Sequence, residues 1–489
     1  MTLLPFLTVW VVQTFMPVKQ KSLPLFGIGI QGKSPKVTAQ RRLNCYFEIT
    51  KDGDRSKVYA IGTPGLELFL NQGETPWRGL KEFPKNSKLY GVHRSTLYEI
   101  DNAGTATSRG TLSTSEGDVD IEHNGTEVCV VDGTSGYIYD TGTTTFSTIS
   151  DGDFPSSPRS LAFNNGRFLV GKNNTGEFYA SDLYDGLNWT AGQFATAEAS
   201  PDNLVRLDVM QGIVCLFGDF TAEFWTDTGS SGFPYARIPG AAMEWGLAAR
   251  RSLAPFDNTF AFLARNRTGQ VRVCTLSGFQ ALPISDPELD YTLNNFTTIS
   301  GATGFGYMLG GHPMYQLNVS GRSWLYDGLT KVWSELASKG IDRHRGEIAE
   351  NFINSTIVSD YSNGKLYRLK QDVYTDNADE IALELIGRHL FSNDKNIRVP
   401  ALEIIMESGV GLVSGQGSDP QIMVSFSKDG GHSFGKERWT SFGKIGEYKK
   451  RARWRQNGRG RDVVVKARIT DPVKRVIVAA NWLAEEGQA

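Results

Sequence analysis

A pair of short strands, the second usually carrying an aromatic residue, recurs along this chain seven times. It is seen first as KLYGVH from Lys88 followed by STLYEI from Ser95. Later first members begin at Glu127 (EVCVV, then YIY), Arg167 (RFLV, then EFYA), Ile213 (IVCLF, then EFW), Phe260 (FAFLA, then QVRVC), Phe305 (FGYML, then MYQL) and Ile353 (INSTIV, then KLYRL). Successive starts lie 39, 40, 46, 47, 45 and 48 residues apart. Four strands and their turns occupy about 40 to 50 residues, so this period, without a sustained 3.6-residue apolar stripe, predicts the blades of a β-propeller. An isolated blade leaves two apolar faces wet, and radial packing against neighbours buries them. Seven hairpins imply seven blades, with six the alternative count. The strands LNCYFEI (Leu43 to Ile49) and KVYAI (Lys57 to Ile61) are placed to close the ring by completing the last blade.

The repeat stops near Leu369. A second β domain follows, with alternating strands IALELI, QIMVSFS, RARWRQ and DVVVKARI. Asp429-Gly430 and Asn457-Gly458 carry the signal of two-residue hairpin turns, and a small sandwich is expected. The fold class is thus all-β, divided into an N-terminal arm (1–40), a propeller (41–372) and a C-terminal β domain (373–489). Leu3 to Val12 is apolar but too short to span a bilayer, and it lacks a positive leader. Met16 is expected as the natural start, with residues 1–15 an over-extended reading frame.

Charge and cysteine usage narrow the function. Lys plus Arg is 51 and Asp plus Glu 53, a formal net charge of -2, which withholds the basic excess of an avid nucleic-acid binder. Cys45, Cys129, Cys215 and Cys274 are never closer than 59 residues and read as small buried apolar residues, not as a zinc or redox site. Gly27 to Ser34 spells G-I-G-I-Q-G-K-S, letter for letter a phosphate-cradling loop. That motif needs a helix after it and an α/β domain around it, yet Pro35 follows at once and the pattern turns to strands, so no nucleotide is expected there. The six histidines are scattered, and neither H-E-x-x-H nor G-x-S-x-G occurs. No catalytic, cofactor or metal residue is assigned.

Two segments invite an alternative, a sialidase-like or other carbohydrate-active or carbohydrate-binding propeller. Ser427, Asp429, Gly431, Ser433 and Phe434 form S-x-D-x-G-x-S-F, which resembles the Asp-box turn of sialidase propellers, where Asp caps its own turn and Gly supplies positive φ. Tyr235-Ala236-Arg237-Ile238-Pro239 approaches a sialidase Phe-Arg-Ile-Pro signature with one residue inserted. A sialidase also needs three arginines, a Tyr/Glu nucleophile pair and an acid. The one dense basic run, Lys449 to Arg461, has seven positive residues in thirteen positions. On a strand it puts Arg451, Arg453 and Arg455 on one face and Ala452 and Trp454 on the other, as either a solvated edge or a contact with an acidic partner.

Several segments together resemble the packaged-DNA stabilisation, or tail-hub (nozzle), proteins of short-tailed podovirus-type phages, over roughly Arg42 to Leu483. They are Asn44 to Glu48, Thr63 to Leu66, FYASDLYDGLNW (Phe178 to Trp189) with FATAE and Pro201-Asp202, LFGDFTAEFW (Leu216 to Trp225), RIPGAAMEWG (Arg237 to Gly246), and SKDGGHSFGKERWTSFGKIGEYKKRARW with Asp471-Pro472. The resemblance implies a structural virion protein, assembled in the host cytoplasm and hexameric in the tail. It would sit beneath the portal and its adaptor ring, meet the tail needle and tailspike or tail fibre, close the filled head, and form part of the ejection conduit. It implies no catalytic residue, cofactor or membrane contact. Near-neutral charge suits a lumen that duplex DNA must traverse without sticking. The apolar N-terminal segment departs from the family pattern.

Overall fold

The structure of the protein is a computed structural model that describes residues 19–22, 33–51, 56–197, 202–230, 232–392 and 395–486. The proposed start at Met16 and most of the glycine-rich loop, residues 27–32, lie outside the described residues.

Seven antiparallel meanders form the propeller, at residues 77–111, 120–148, 158–196, 204–243, 246–283, 303–336 and 346–370. We number these blades 1 to 7. Their apolar cores lie between blades, not within them. Val128 and Val130 pack against blade 1 with Phe83, Tyr90 and Val92, while Cys129 and Val131 of the same strand pack against blade 3 with Leu161, Phe168 and Val170. A strand buried on both faces must read as an unbroken apolar run, which is why the repeat shows EVCVV and IVCLF, not alternation. Each buried Val or Leu contributes about 2 kcal/mol. Seven such clusters occupy the seven blade-to-blade junctions, the last joining Phe352, Ile357 and Leu366 of blade 7 to Trp77 and Leu89 of blade 1. The four cysteines are free and buried.

Turn chemistry repeats as well. An aspartate ends the third strand of blades 2, 4 and 6 and directly follows that of blade 1, and the Oδ1 atoms of Asp101, Asp140, Asp227 and Asp327 accept hydrogen bonds from the backbone N–H groups of Ala103, Gly142, Gly229 and Leu329. The side chain mimics a backbone turn and fixes the hairpin.

Three expectations need correction. The ring is closed by Gly65–Asn71, which completes blade 7 antiparallel to Lys365–Lys370. The strands expected there, Cys45–Ile49 and Val58–Gly62, instead pair with each other, and Val58–Gly62 pairs in turn with Val476–Glu486 in the C-terminal domain. The reason lies in their alternation: Cys45, Phe47 and Ala60 enter the sandwich core, while Tyr46 and Ile61 pack on blades 6 and 7. By strand pairing, Arg41–Leu43, Cys45–Ile49 and Val58–Gly62 thus extend the sheets of the C-terminal domain. Second, the pair read from Phe305 is the first and second strand of blade 6, whereas the other six pairs are the second and third. A longer connection shifts the phase there, and it holds the helix Pro287–Asn294, whose N-cap Asp286 accepts from the Leu289 N–H at 3.0 Å. Third, neither Asp429-Gly430 nor Asn457-Gly458 makes a two-residue hairpin. Gln421–Ser427 and Arg438–Ser441 pair across a ten-residue loop, and Ala452–Arg455 and Arg459–Gly460 both pair with Ile397–Met406. The glycines serve positive φ, +74° at Gly430 and +88° at Gly458.

The C-terminal domain is a sandwich. One sheet runs Cys45–Ile49, Val58–Gly62, Val476–Glu486, Ile397–Met406, Ala452–Arg455. The other runs Arg41–Leu43, Leu383–Ile386, Asp462–Ile469, Gln421–Ser427, Arg438–Ser441 and continues into the propeller, because Leu43 pairs in parallel with Glu335 on the outer strand of blade 6. The two domains thus share a hydrogen-bonded sheet. Arg41 forks between Glu335 (2.9 Å) and Glu384 (3.1 Å), while both nitrogens of buried His312 face carboxylates, Asp327 at 2.9 Å and Glu48 at 3.1 Å. Arg475, also buried, donates to the carbonyls of Ile381 (2.6 Å) and Thr63 (3.0 Å). Burial pushes its guanidinium down to about 10. A Cβ on Gly62 would stand 2.7 Å from Arg475 Nε, so that position has no room for a side chain.

Candidate functional site

The first strands of the blades line the propeller axis, and their charged residues converge there. Lys81 of blade 1 meets Glu122 of blade 2 at 2.9 Å. Arg250 of blade 5 reaches across to blade 2 and pairs with Asp118 and, at 3.0 Å, with Asp120. Arg159 of blade 3 takes the other Asp118 oxygen at 2.8 Å, and Arg206 pairs with Asp208 on blade 4 at 3.1 Å. Glu350 of blade 7 stands beside Lys81.

Electrostatics follow from this crowding. Burial works against the Asp118 carboxylate, but Arg250 and Arg159 outweigh it and hold the group below its ordinary value. Burial raises Asp208 despite Arg206. Glu350 is pushed up to about 7 by burial, which the attraction of Lys81 only partly offsets, and Glu122 adds to the rise. Three arginines do converge, but each is engaged by an aspartate, so the cluster presents no vacant cationic pocket for a substrate carboxylate. Sequence reading missed this constellation. Its signal was present, because Lys81, Glu122, Arg159, Arg206 and Arg250 recur at about the blade period, one strand ahead of the hairpins that were detected.

The Asp-box-like turn forms as its letters suggest. Asp429 Oδ1 accepts from the Ser427 hydroxyl at 2.6 Å and the Ser433 N–H at 3.0 Å, Ser427 Oγ accepts the Gly431 N–H at 2.8 Å, and Gly431 has φ +86°. The Ser427 and Ser433 hydrogen bonds hold the Asp429 carboxyl well below the usual carboxylate range. Phe434 lies under the Lys466 ammonium, 4.9 Å from the ring centre. This turn sits in the sandwich, whereas the Tyr235 to Pro239 segment lies on the outermost strand of blade 4 with Arg237 exposed. The two sialidase echoes do not meet each other or the axis.

Lys33, the lysine of the glycine-rich motif, packs over the Tyr291 ring at 4.7 Å, and Ser34 opens a turn, not a helix. His389 contacts Asp462 at 2.8 Å and the Pro35 carbonyl at 2.7 Å, holding the N-terminal arm to the sandwich. Among the described residues no three His, Cys, Asp or Glu side chains are arranged for a metal ion, and no helix is long and apolar enough to cross a membrane.

Arg451, Arg453 and Arg455 flank and occupy the edge strand Ala452–Arg455. Arg453 and Arg455 point outward, and Ala452 and Trp454 are buried, which is the two-residue alternation read from the sequence. Arg451 differs from the expectation in already having a partner, since it clasps Glu403 with two hydrogen bonds of 2.6 Å.

A propeller fused through a shared sheet to a sandwich, with its axial arginines paired to aspartates, is the body of a phage tail-hub protein. The chain belongs to that family: residues 22–374 match the family described as bacteriophage P22 Gp10, beta-propeller, and residues 382–485 the one described as bacteriophage P22 Gp10, beta-sandwich. The chain is similar to the tail hub protein gp10 of Salmonella phage P22, 26% identical over 420 residues, covering 79% of this chain and 86% of that protein. The carbohydrate-active alternative falls with this match. Among solved structures the chain is similar to the N-terminal domain of Nup159 (11% identity, TM-score 0.39, 67% of this chain and 98% of that one) and to the extracellular domain of the B. thetaiotaomicron two-component protein BT4673 (10% identity, TM-score 0.44, 68% and 46%).

Proposed function

We propose that this chain is the hub of a short phage tail, carried in the virion, where it assembles in the host cytoplasm as a six-membered ring on the portal and adaptor, retains packaged DNA and lines part of the ejection passage. The observation that carries the reading is a family match running through both domains and nearly the whole relative. The fused body supports it, because a closure device must resist internal pressure without a hinge, and a hydrogen-bonded sheet crosses the boundary between propeller and sandwich. The propeller axis is bridged from blade 5 to blade 2 by Arg250, so a passage wide enough for duplex DNA would be formed between copies of the chain. Tail needle and tailspike or tail fibre are further partners on this reading, and the protein does no chemistry.

Mixing the purified chain with portal–adaptor complexes and imaging the product tests it. A six-fold ring of copies below the adaptor is expected. Absence of binding, or a stoichiometry incompatible with six-fold symmetry, would remove the proposal.

A further inference from the structure

The sandwich has one open side. Its two sheets end there in Arg438–Ser441 and Ala452–Arg455, each paired on one side only among the described residues. The two edges are tied together: Trp454 Nε1–H donates to the Arg438 carbonyl at 2.8 Å, and Arg438 donates to the Arg455 carbonyl at 2.7 Å and to Asn457 Oδ1 at 2.7 Å. These ties fix the two edge strands relative to each other, which lowers the ordering cost of association there.

Its composition is that of an unoccupied contact. Between Lys436 and Arg461 stand ten lysine and arginine residues against two glutamates, in a chain whose formal net charge is -2. Glu403, the residue opposite Arg453, is already clasped by Arg451, so one carboxylate serves two neighbouring guanidiniums, and Arg455 stands opposite Ala401. Beside these cations, Trp439 is 61% exposed, and the connection between the two edge strands carries Ile445 at 61% and Tyr448 at 75%. Exposed Trp, Tyr and Arg together are the residues that dominate protein–protein hot spots.

We propose that this open side docks an acidic, extended segment of a neighbouring protein of the particle, with carboxylates opposite Arg453 and Arg455 and apolar side chains on Trp439, Ile445 and Tyr448. Charge complementarity selects an acidic partner. The exposed apolar side chains select protein over duplex nucleic acid, whose phosphate backbone would leave them wet. Unpaired edge strands accept an extended segment most readily, by strand addition. The inference rests on the tail-hub reading, because that reading supplies the particle.

Trp439→p-benzoylphenylalanine and Arg455→p-benzoylphenylalanine chains, assembled separately into phage particles and irradiated, test it. The expected product is a cross-link to an acidic segment of another virion protein. Cross-links to DNA, to a neutral or basic segment, or none in particles that contain the chain, would overturn the docking site while leaving the hub reading intact. Particles formed without the chain would remove the hub reading and the docking site together. A second measurement uses natural residues. The Arg453→Gln/Arg455→Gln chain should melt like the parent but join heads made without this protein about tenfold more slowly at low salt, with a weaker salt dependence, and Arg453→Lys/Arg455→Lys should recover most of the rate. An unchanged rate and salt dependence would overturn the proposal.

Discussion

The propeller axis and the open side of the sandwich use the same residues to opposite ends. In the axis Arg159, Arg206 and Arg250 each meet an aspartate, the Arg159 and Arg250 pairs crossing between blades and the Arg206–Asp208 pair staying within blade 4. On the sandwich edge Arg451 takes Glu403, leaving Arg453 beside a carboxylate already engaged and Arg455 without one opposite it. A buried cation must be neutralised where it stands, because desolvation costs several kcal/mol per ion. An exposed one is solvated and remains free to be matched by another molecule. Charge in the axis is therefore structural, and charge on the edge is presented.

The contrast is broken most severely at Arg250. Arg250→Met should cost about 3 kcal/mol, because it strands Asp120 in a confined space and leaves Asp118 to Arg159 alone, and urea unfolding would measure the loss. Combining it with Asp120→Asn should recover part of that cost, and strict additivity of the two changes would contradict the pairing. Arg475→Met comes next, at about 2 kcal/mol, because it leaves the carbonyls of Ile381 and Thr63 unsatisfied where the closing strand meets the sandwich. Loosening of that joint should appear as faster amide exchange in Gly65–Asn71.

Glu350 sharpens the comparison through pH. Its folded value near 7 lies above the 4.5 of an unperturbed glutamate. The folded chain thus binds more protons than the unfolded one between those values, and this contribution to stability is present below about pH 4.5 and lost as pH rises through 7. Glu350→Gln should stabilise the protein by about 1 kcal/mol at pH 8 and leave it unchanged at pH 4, as read from thermal melts at the two pH values. A loss of stability at pH 8 would mean that the ionised carboxylate is needed by Lys81. The smallest effect belongs to the edge. Arg453→Gln/Arg455→Gln should change stability by a few tenths of a kcal/mol at most, and a larger drop in melting temperature would mean that these side chains support the sandwich after all.

The repeat, the all-β class, the seven blades and the alternation around Arg453 were legible because each is local. Strands announce themselves by composition, and a period of forty-odd residues is visible without knowing what touches what. The sixth hairpin misled because an inserted connection with its helix shifted the phase, although Asp286-Pro287-Glu288 carried an N-cap signal that could have exposed it. The axial constellation was harder to see, since single charges on separate strands mean little until the ring brings them together.

Chain closure lay beyond any local signal. Residues 45–49 and 65–71 are both strand-like and both apolar enough to complete a blade, and composition cannot rank them. Pairing partners decide it: Lys365–Lys370 takes Gly65–Asn71, where Gly65 admits the carbonyl of Thr375 within 2.4 Å of where a Cβ would sit. The earlier strand pairs with Val58–Gly62, which is claimed in turn by Val476–Glu486, more than four hundred residues downstream. The sequence by itself determined which segments are strands and which of their faces must be buried, because those properties belong to the residues. Only the tertiary structure decided which distant strand buries them and which charges lose their water in the process, because both depend on geometry summed over the whole chain.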